Sequence, residues 1–207
     1  MHAEVAAVRT DFLVRRWDAD QVAWAAARLD VPGEPQARHL DALGVAPYSE
    51  TLDEDCNLIT LLGWAAILGS VAGTSITNKF SATDGRIGVG TSSTAASASD
   101  AHLGGDTGSG STTSYYQLVS GAPTISTGSS PATLVLAASF GSSVANFAWN
   151  EFGCDNYTAS GVTTQSLANT VFLNHGISSQ GTKASGQVWS ATATISFGYP
   201  SGSGTLS

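Results

Sequence analysis

Apolar residues recur with two different periods along this chain of 207 residues. Over residues 3–30 the spacing is helical. Leu13, Trp17 and Trp24 fall at intervals of four and seven, with Val5, Val8 and Phe12 upstream. Asp20 can cap a turn running QVAWAAARL, and Pro32-Gly33 would end it. Pro35 can start a second short helix over Gln36–Leu43, with Gly44 as its stop. Residues 45–56, VAPYSETLDEDC, predict a polar acidic linker. Its run Asp53, Glu54, Asp55 sits before a helix N-terminus, where the helix dipole favours negative charge. Leu58–Ala72, LITLLGWAAILGSVA, predicts a buried helix with Leu58, Leu61, Leu62, Ala65 and Leu68 on one face.

From residue 85 the period changes to two. In Gln187–Gly198, Trp189, Ala191, Ala193, Ile195 and Phe197 alternate with Val188, Ser190, Thr192, Thr194 and Ser196. A sheet with one buried face produces this pattern. Leu134, Leu136 and Phe140 alternate in the same way, as do Phe147 and Trp149 within SVANFAWNEFG. Further strands are predicted at Arg86–Gly90, Tyr115–Val119 and Thr170–Leu173, separated by Gly/Ser/Thr turns such as GGDTGSGSTTS and STGSSP. The tail PSGSGTLS has the composition of a flexible end. Short strands joined by regular turns predict a mainly β fold, an antiparallel β-sandwich preceded by an N-terminal α-helical arm.

Charge divides the chain earlier, at residue 56. The first 56 residues hold 16 of the 24 charged side chains, five basic against eleven acidic, and only two of the 23 glycines. The expected organisation is a helical docking arm with its acidic linker over 1–56, and a helix plus β-sandwich module over 57–207. A net charge of −8 without clustered Lys and Arg argues against nucleic-acid binding. The run at 58–72 is shorter than the ~20 residues that cross a bilayer and contains Gly63 and Gly69, so no membrane span is expected. The N-terminus MHAEVAAVRTDFLVRRW scatters charges and lacks the apolar stretch of a signal peptide.

Candidate chemistry is sparse. His2, His39, His102 and His175 show no metal-ligand spacing among themselves or with Cys56 and Cys154. The two cysteines could form one disulfide, although two buried thiols are the simpler expectation. GRIGVGTSS lacks the Gly-Lys-Ser/Thr ending of a phosphate loop, and no nucleophile elbow is present. The acids that could pair are Asp100 with Asp106 and Glu151 with Asp155, and both pairs suit turn or strand-end hydrogen bonding. We therefore expect no enzyme, no cofactor, and no cleft that gathers two carboxylates, or a carboxylate and a histidine, around a common point.

Three segments carry a resemblance: RIGVGTSSTAASASDAHL (86–103), FGSSVANFAWNEFGCD (140–155) and FLNHGISSQGTKASGQVWSATATISF (172–197). In this order, after an apolar helix beginning NLIT, they resemble a family of tailed-bacteriophage virion proteins. More distantly the layout is similar to the collar domain of phage tail-fibre proteins, with IGVGTS (87–92) and NEFGCDN (150–156) at its two marker strands. Two departures stand out: TASGVTTQSLANTVFL replaces a shorter turn before the penultimate strand, and Gly104-Gly105 stand where an Arg is often found.

The resemblance implies a non-enzymatic virion component, assembled in the host cytoplasm, that serves as a tail collar, baseplate or fibre-attachment module. Its partners would be other virion subunits, with homo-oligomerisation expected. The absence of a fibre shaft after residue 198 fits a capsid decoration protein on the head exterior equally well. A reading from another class is a module that binds a host-surface glycan through Trp149, Tyr157 or Trp189. Residues 1–43 are too short to hold a core of their own, yet they carry much apolar surface. Either the chain's own β module covers this surface, or Phe12, Leu13, Trp17 and Trp24 are anchors on a partner, with Arg15, Arg16 and Arg28 at the polar rim; the docking arm is the expectation carried forward.

Overall fold

A computed structural model describes residues 7–29, 33–54, 57–73, 80–107, 112–127, 131–157, 160–161 and 171–198. Cys56 and the tail 199–207 lie outside the described residues, as does most of the stretch 158–170.

Two five-stranded antiparallel sheets pack face to face. The first comprises β1 (Ala7–Trp17), β2 (Ser49–Asp53), β6 (Thr124–Ser126), β7 (Ala132–Phe140) and β10 (Val188–Gly198), in the order β2-β1-β10-β7-β6. The second comprises β3 (Asn57–Ile59), β4 (Gly85–Gly90), β5 (Ser114–Leu118), β8 (Glu151–Asn156) and β9 (Phe172–Ile177), in the order β3-β9-β8-β4-β5. Phe12, Val14, Leu136, Phe140, Trp189, Ala191 and Ile195 from the first sheet meet Ile87, Val89, Phe152, Cys154 and Leu173 from the second in one continuous core. Trp149 sits at its centre, edge-on to Phe140 (4.7 Å between ring centroids), Trp189 (4.9 Å) and Phe152 (6.1 Å). Offset and edge-on rings are the favoured arrangement for aromatic pairs.

The structure corrects the N-terminal arm. Residues 7–17 form a strand rather than a helix, and β1 pairs along its whole length with β10, from Ala7 opposite Gly198 to Trp17 opposite Val188. The boundary at residue 56 therefore does not separate an arm from a module, because β1 and β2 complete the first sheet. The apolar pattern of β1 misleads for a physical reason. Phe12, Val14 and Arg16 face the interior, while Trp17 on the opposite face is also buried. Burial alternates along the strand, but the inner face includes the polar Thr10 and Arg16 and the outer face the apolar Leu13 and Trp17, so the apolar residues do not alternate and Leu13 and Trp17 happen to fall four apart.

The cover on the outer face is helical. Helix α1 (Ala19–Ala26) is capped by Asp18 rather than Asp20, with a reciprocal capping box to Gln21. Helix α2 (Ala37–Ala42) follows. Together they bury Val22, Ala25, Ala37 and Leu40 against Trp17 and Val188, and the Trp17 indole Nε1–H donates to Val45 O at 2.8 Å.

Helix α3 (Leu61–Val71) is the second correction. It is capped by Thr60, whose Oγ1 accepts from the Gly63 amide at 3.0 Å and whose hydroxyl donates to Phe172 O. Gly63 lies so close to β9 that a Cβ there would stand 2.2 Å from Leu173 O. Only Gly63 and Ala66 of α3 are buried. Leu61, Leu62, Trp64, Leu68 and Val71 are exposed, with Leu58 beside them on β3. The apolar run is thus not a core helix but an outward-facing apolar surface. Among the described residues, no helix is long and apolar enough to cross a membrane.

Candidate functional site

The residues of the three resembling segments converge on one buried ionic network in the second sheet. Glu151 begins β8, and His175 lies on β9, which pairs with β8. Asp100 comes from the loop after β4. His175 Nδ1 is 2.6 Å from Asp100 Oδ2, and its Nε2 is 3.0 Å from Glu151 Oε2. Glu151 is fully buried and His175 nearly so. A carboxylate and a histidine do meet, in the buried interior of the sheet, and Glu151 is a hydrogen-bond acceptor at the start of β8, one of the two roles expected of it.

Every acceptor position of Glu151 is occupied. Oε1 accepts from the amides of Ser92 (3.1 Å) and Gly105 (2.6 Å), and Oε2 accepts from the Gly104 amide (2.7 Å) as well as His175. Glycines make the room. A Cβ at Gly90 would stand 2.2 Å from Glu151 Oε1, and one at Gly105 2.7 Å from it. Nearby, a Cβ at Gly88 would strike the Tyr116 ring at 2.6 Å, and one at Gly153 the Phe172 ring at 2.5 Å. The glycines of IGVG and EFG are therefore explained by close approach of a carboxylate and two rings. Gly104-Gly105, a departure from the resembling pattern, supplies two of the four donors to Glu151.

Both ring nitrogens of His175 face carboxylate oxygens. A protonated imidazole can donate from both nitrogens, so this geometry favours the imidazolium form. Burial lowers the His175 pKa, but hydrogen bonds and charge from Glu151 and Asp100 outweigh it, and the net shift is upward from 6.5. The sign for stability follows. A histidine with a raised folded-state pKa contributes stability that is fully present below 6.5, and that contribution is lost as pH climbs through the raised value. Thermal unfolding across this window should show the wild type losing stability, with a slope of up to about 1.4 kcal/mol per pH unit. The His175→Gln variant should lose that limb. An unchanged slope in the variant would remove His175 from the account.

A second buried pair lies on the same sheet. Arg86 on β4 is directly opposite Asp155 on β8, and Nε donates to Oδ1 at 2.7 Å while Nη2 pairs with Oδ2. Tyr116 and Tyr157 flank the guanidinium, at 4.7 and 4.9 Å from their ring centroids. Burial pushes the Asp155 carboxyl up and Arg86 opposes it. Asp155, near the end of β8, is thus a strand-end acceptor that also serves as an interior ion-pair partner. Cys154 beside it is a free buried thiol whose pKa burial raises.

Lys183 supports the core from the other side. Its fully buried ammonium donates to Gly141 O, Val144 O and Asn146 Oδ1 at 2.7–3.0 Å, and burial pushes its pKa down to about 8. The loop it pins contains Ala145 at φ 55°, whose carbonyl receives the Trp149 indole N–H at 3.0 Å. Phe147 and Trp149 therefore reach the core from this loop, which forms an isolated bridge, Ala148–Thr182, outside both sheets before β8 begins.

The expected interface residues fall into two groups. Phe12, Arg16 and Trp17 are buried within the chain's own fold, and Leu13 is half-buried. Arg15 is half-buried and donates to Asp41 and Glu50. Only Trp24 and Arg28 are exposed, with the guanidinium stacked 3.8 Å from the indole centroid. The aromatics considered as glycan platforms offer no open ring face for stacking: Trp149 and Trp189 pack on other rings in the core, and Tyr157, half-buried, lies against Arg86.

Among the described residues, no group of three His, Cys, Asp or Glu side chains could hold a metal ion. The fold and these networks define a two-sheet antiparallel β module whose ionisable groups are largely consumed in holding it together. No family model, no curated protein and no solved structure matches the chain.

Proposed function

We propose that this chain is a non-enzymatic structural subunit of a tailed-phage virion, a collar-like sandwich that acts in the tail as a collar, baseplate or fibre-attachment module. The observation that carries the structural role is the apolar face of α3. Leu61, Leu68 and Val71 are 63%, 62% and 84% exposed, and Leu58, Leu62 and Trp64 extend the patch. Contiguous apolar surface of this kind marks an interaction site. The phage assignment rests on the resemblance of segments 86–103, 140–155 and 172–197. It is supported by their convergence on the Asp100–His175–Glu151 network, which gives the shared positions a common structural task.

The occupant of the α3 face is a second copy of this chain. Residues 57–73 contain no ionisable side chain, so two copies can appose this face without bringing like charges together, despite a net charge of −8 per chain. The exposed pair Trp24 and Arg28, on the helical cover of the first sheet, remains available to other virion subunits. The non-enzymatic reading is supported by the saturation of Glu151: a carboxylate with four donors on it has no lone pair left to accept a substrate proton.

Sedimentation tests this reading. The wild type should self-associate reversibly, and Leu61→Glu with Leu68→Glu should give a monomer with unchanged thermal stability, because both side chains are exposed. A double variant that associates like the wild type would refute the α3 interface.

A further inference from the structure

One end of the sandwich carries a cavity of about 410 Å³ lined by Arg16, Tyr48, Ser49, Thr51, Ser179, Gln180, Gly181, Thr182 and Trp189. Its volume is within the range of small-molecule sites. The cross-strand register builds it. Ser49, Arg16 and Trp189 lie directly opposite one another on β2, β1 and β10, so their side chains share the interior face.

Arg16 is 94% buried by the complement of its 6% exposure, yet no carboxylate among the described residues lies within ion-pair distance of it. Its guanidinium meets only neutral acceptors: Ser49 Oγ (3.3 Å), Thr51 Oγ1 (2.8 Å), Gln180 O (3.2 Å) and Gln180 Oε1 (2.5 Å). Asp53 stands behind Gln180, which donates its own amide to that carboxylate. The Trp189 ring lies beneath the guanidinium at 4.8 Å. Trp189 is 2% exposed, and its Nε1–H has no acceptor among the described residues. A buried N–H left unpaired costs about 1–3 kcal/mol, and a buried charge is normally paired.

The site keeps donors that suit an anion and hydroxyl oxygens that can still accept. Ser49 and Thr51 accept from Arg16 and so keep their hydroxyl protons to donate. Trp189 only donates. No carboxylate lines the cavity. A donor-rich, hydroxyl-lined site beside an unpaired guanidinium matches an oxyanion carried on a polyhydroxylated body of sugar size. We propose that this cavity binds a carboxylated sugar, its carboxylate taking the Trp189 N–H and the Ser49 and Thr51 hydroxyls in the field of Arg16. The site is independent of the α3 face and of the virion reading.

The test is an NMR titration of the wild-type protein, following the five tryptophan indole N–H resonances, with the Trp189 signal assigned from Trp189→Phe. Glucuronate should shift the Trp189 resonance saturably. Glucose and inorganic phosphate, which present the body and the charge separately, should bind at least about tenfold more weakly, since a hydrogen bond to a charged group is worth ~1.5–3 kcal/mol. Thr51→Val, which keeps the side-chain shape, should weaken glucuronate binding by about tenfold while leaving the amide spectrum of the core in place. A Trp189 resonance that does not move with glucuronate, or moves equally with glucose or phosphate, overturns the proposal. So does Thr51→Val binding that equals the wild type.

Discussion

Replacing Glu151 with Ala should destabilise the protein by about 3–5 kcal/mol, the cost of removing one partner from a buried charged network. The substitution strips the Nε2 partner from His175 and leaves the amides of Gly104 and Gly105 without their acceptor in a site the carboxylate had filled. Glu151→Gln should recover part of the loss. The amide keeps the shape, but its NH2 group would face backbone donors where an acceptor is required. Urea titration with tryptophan fluorescence measures both variants. If Glu151→Ala unfolds within about 1 kcal/mol of the wild type, the network is not the structural centre of the second sheet.

Trp149→Ala should cost a similar amount, about 3–5 kcal/mol, for a different reason. Trp149 is fully buried and touches Phe140, Phe152 and Trp189, so its removal leaves a cavity at the junction of the two sheets. The rings around it are held by their own strands and can close the gap only in part. For a chain of this size the loss corresponds to a fall of roughly 10 °C in the thermal midpoint. The fall should appear together with loss of near-ultraviolet circular dichroism from the aromatic cluster. A midpoint within a degree or two of the wild type would place the core elsewhere.

Much of the sandwich was legible in the sequence where one face of a strand is buried and the other is not. The alternation of Trp189, Ala191, Ala193 and Ile195 marks β10, and its interior face is as expected. Residues 86–90 and 115–118 likewise fall within β4 and β5. The failures share a cause, which is cover supplied from far along the chain. β1 carries Thr10 and Arg16 on its inner face and Leu13 and Trp17 on its outer face, with Trp17 covered by α1 and α2, so its period of two is hidden. α3 has the apolar content of a core helix, but only Gly63 and Ala66 are buried, Ile67 packs part-buried on the core, and the leucines are exposed. Sequence shows how apolar a helix is, not which side its neighbours occupy.

The site was less legible. Glu151 and His175 are 24 residues apart, and Asp100 and His175 are 75 apart. The contacts depend on the pairing of β8 with β9 and on the loop after β4. Glycine offered the usable signal. Gly88, Gly90, Gly104, Gly105 and Gly153 all sit where a Cβ would strike a neighbour, and two of them directly outline the Glu151 carboxylate. A strand reading GVG is poor in β propensity, and that penalty is explained when something large must approach its backbone. The interface residues Phe12, Arg16 and Trp17 were misplaced with β1 itself, and the apolar surface left exposed lies instead on α3.

The most direct measurement is a cryo-electron microscopy map of intact virus particles purified from cells that produce this chain. The account predicts density for the sandwich in the tail, with Leu61, Leu68 and Val71 of one copy covered by the α3 face of another. Absence of the chain from purified particles would contradict the account. So would a resolved copy whose α3 face is turned to solvent.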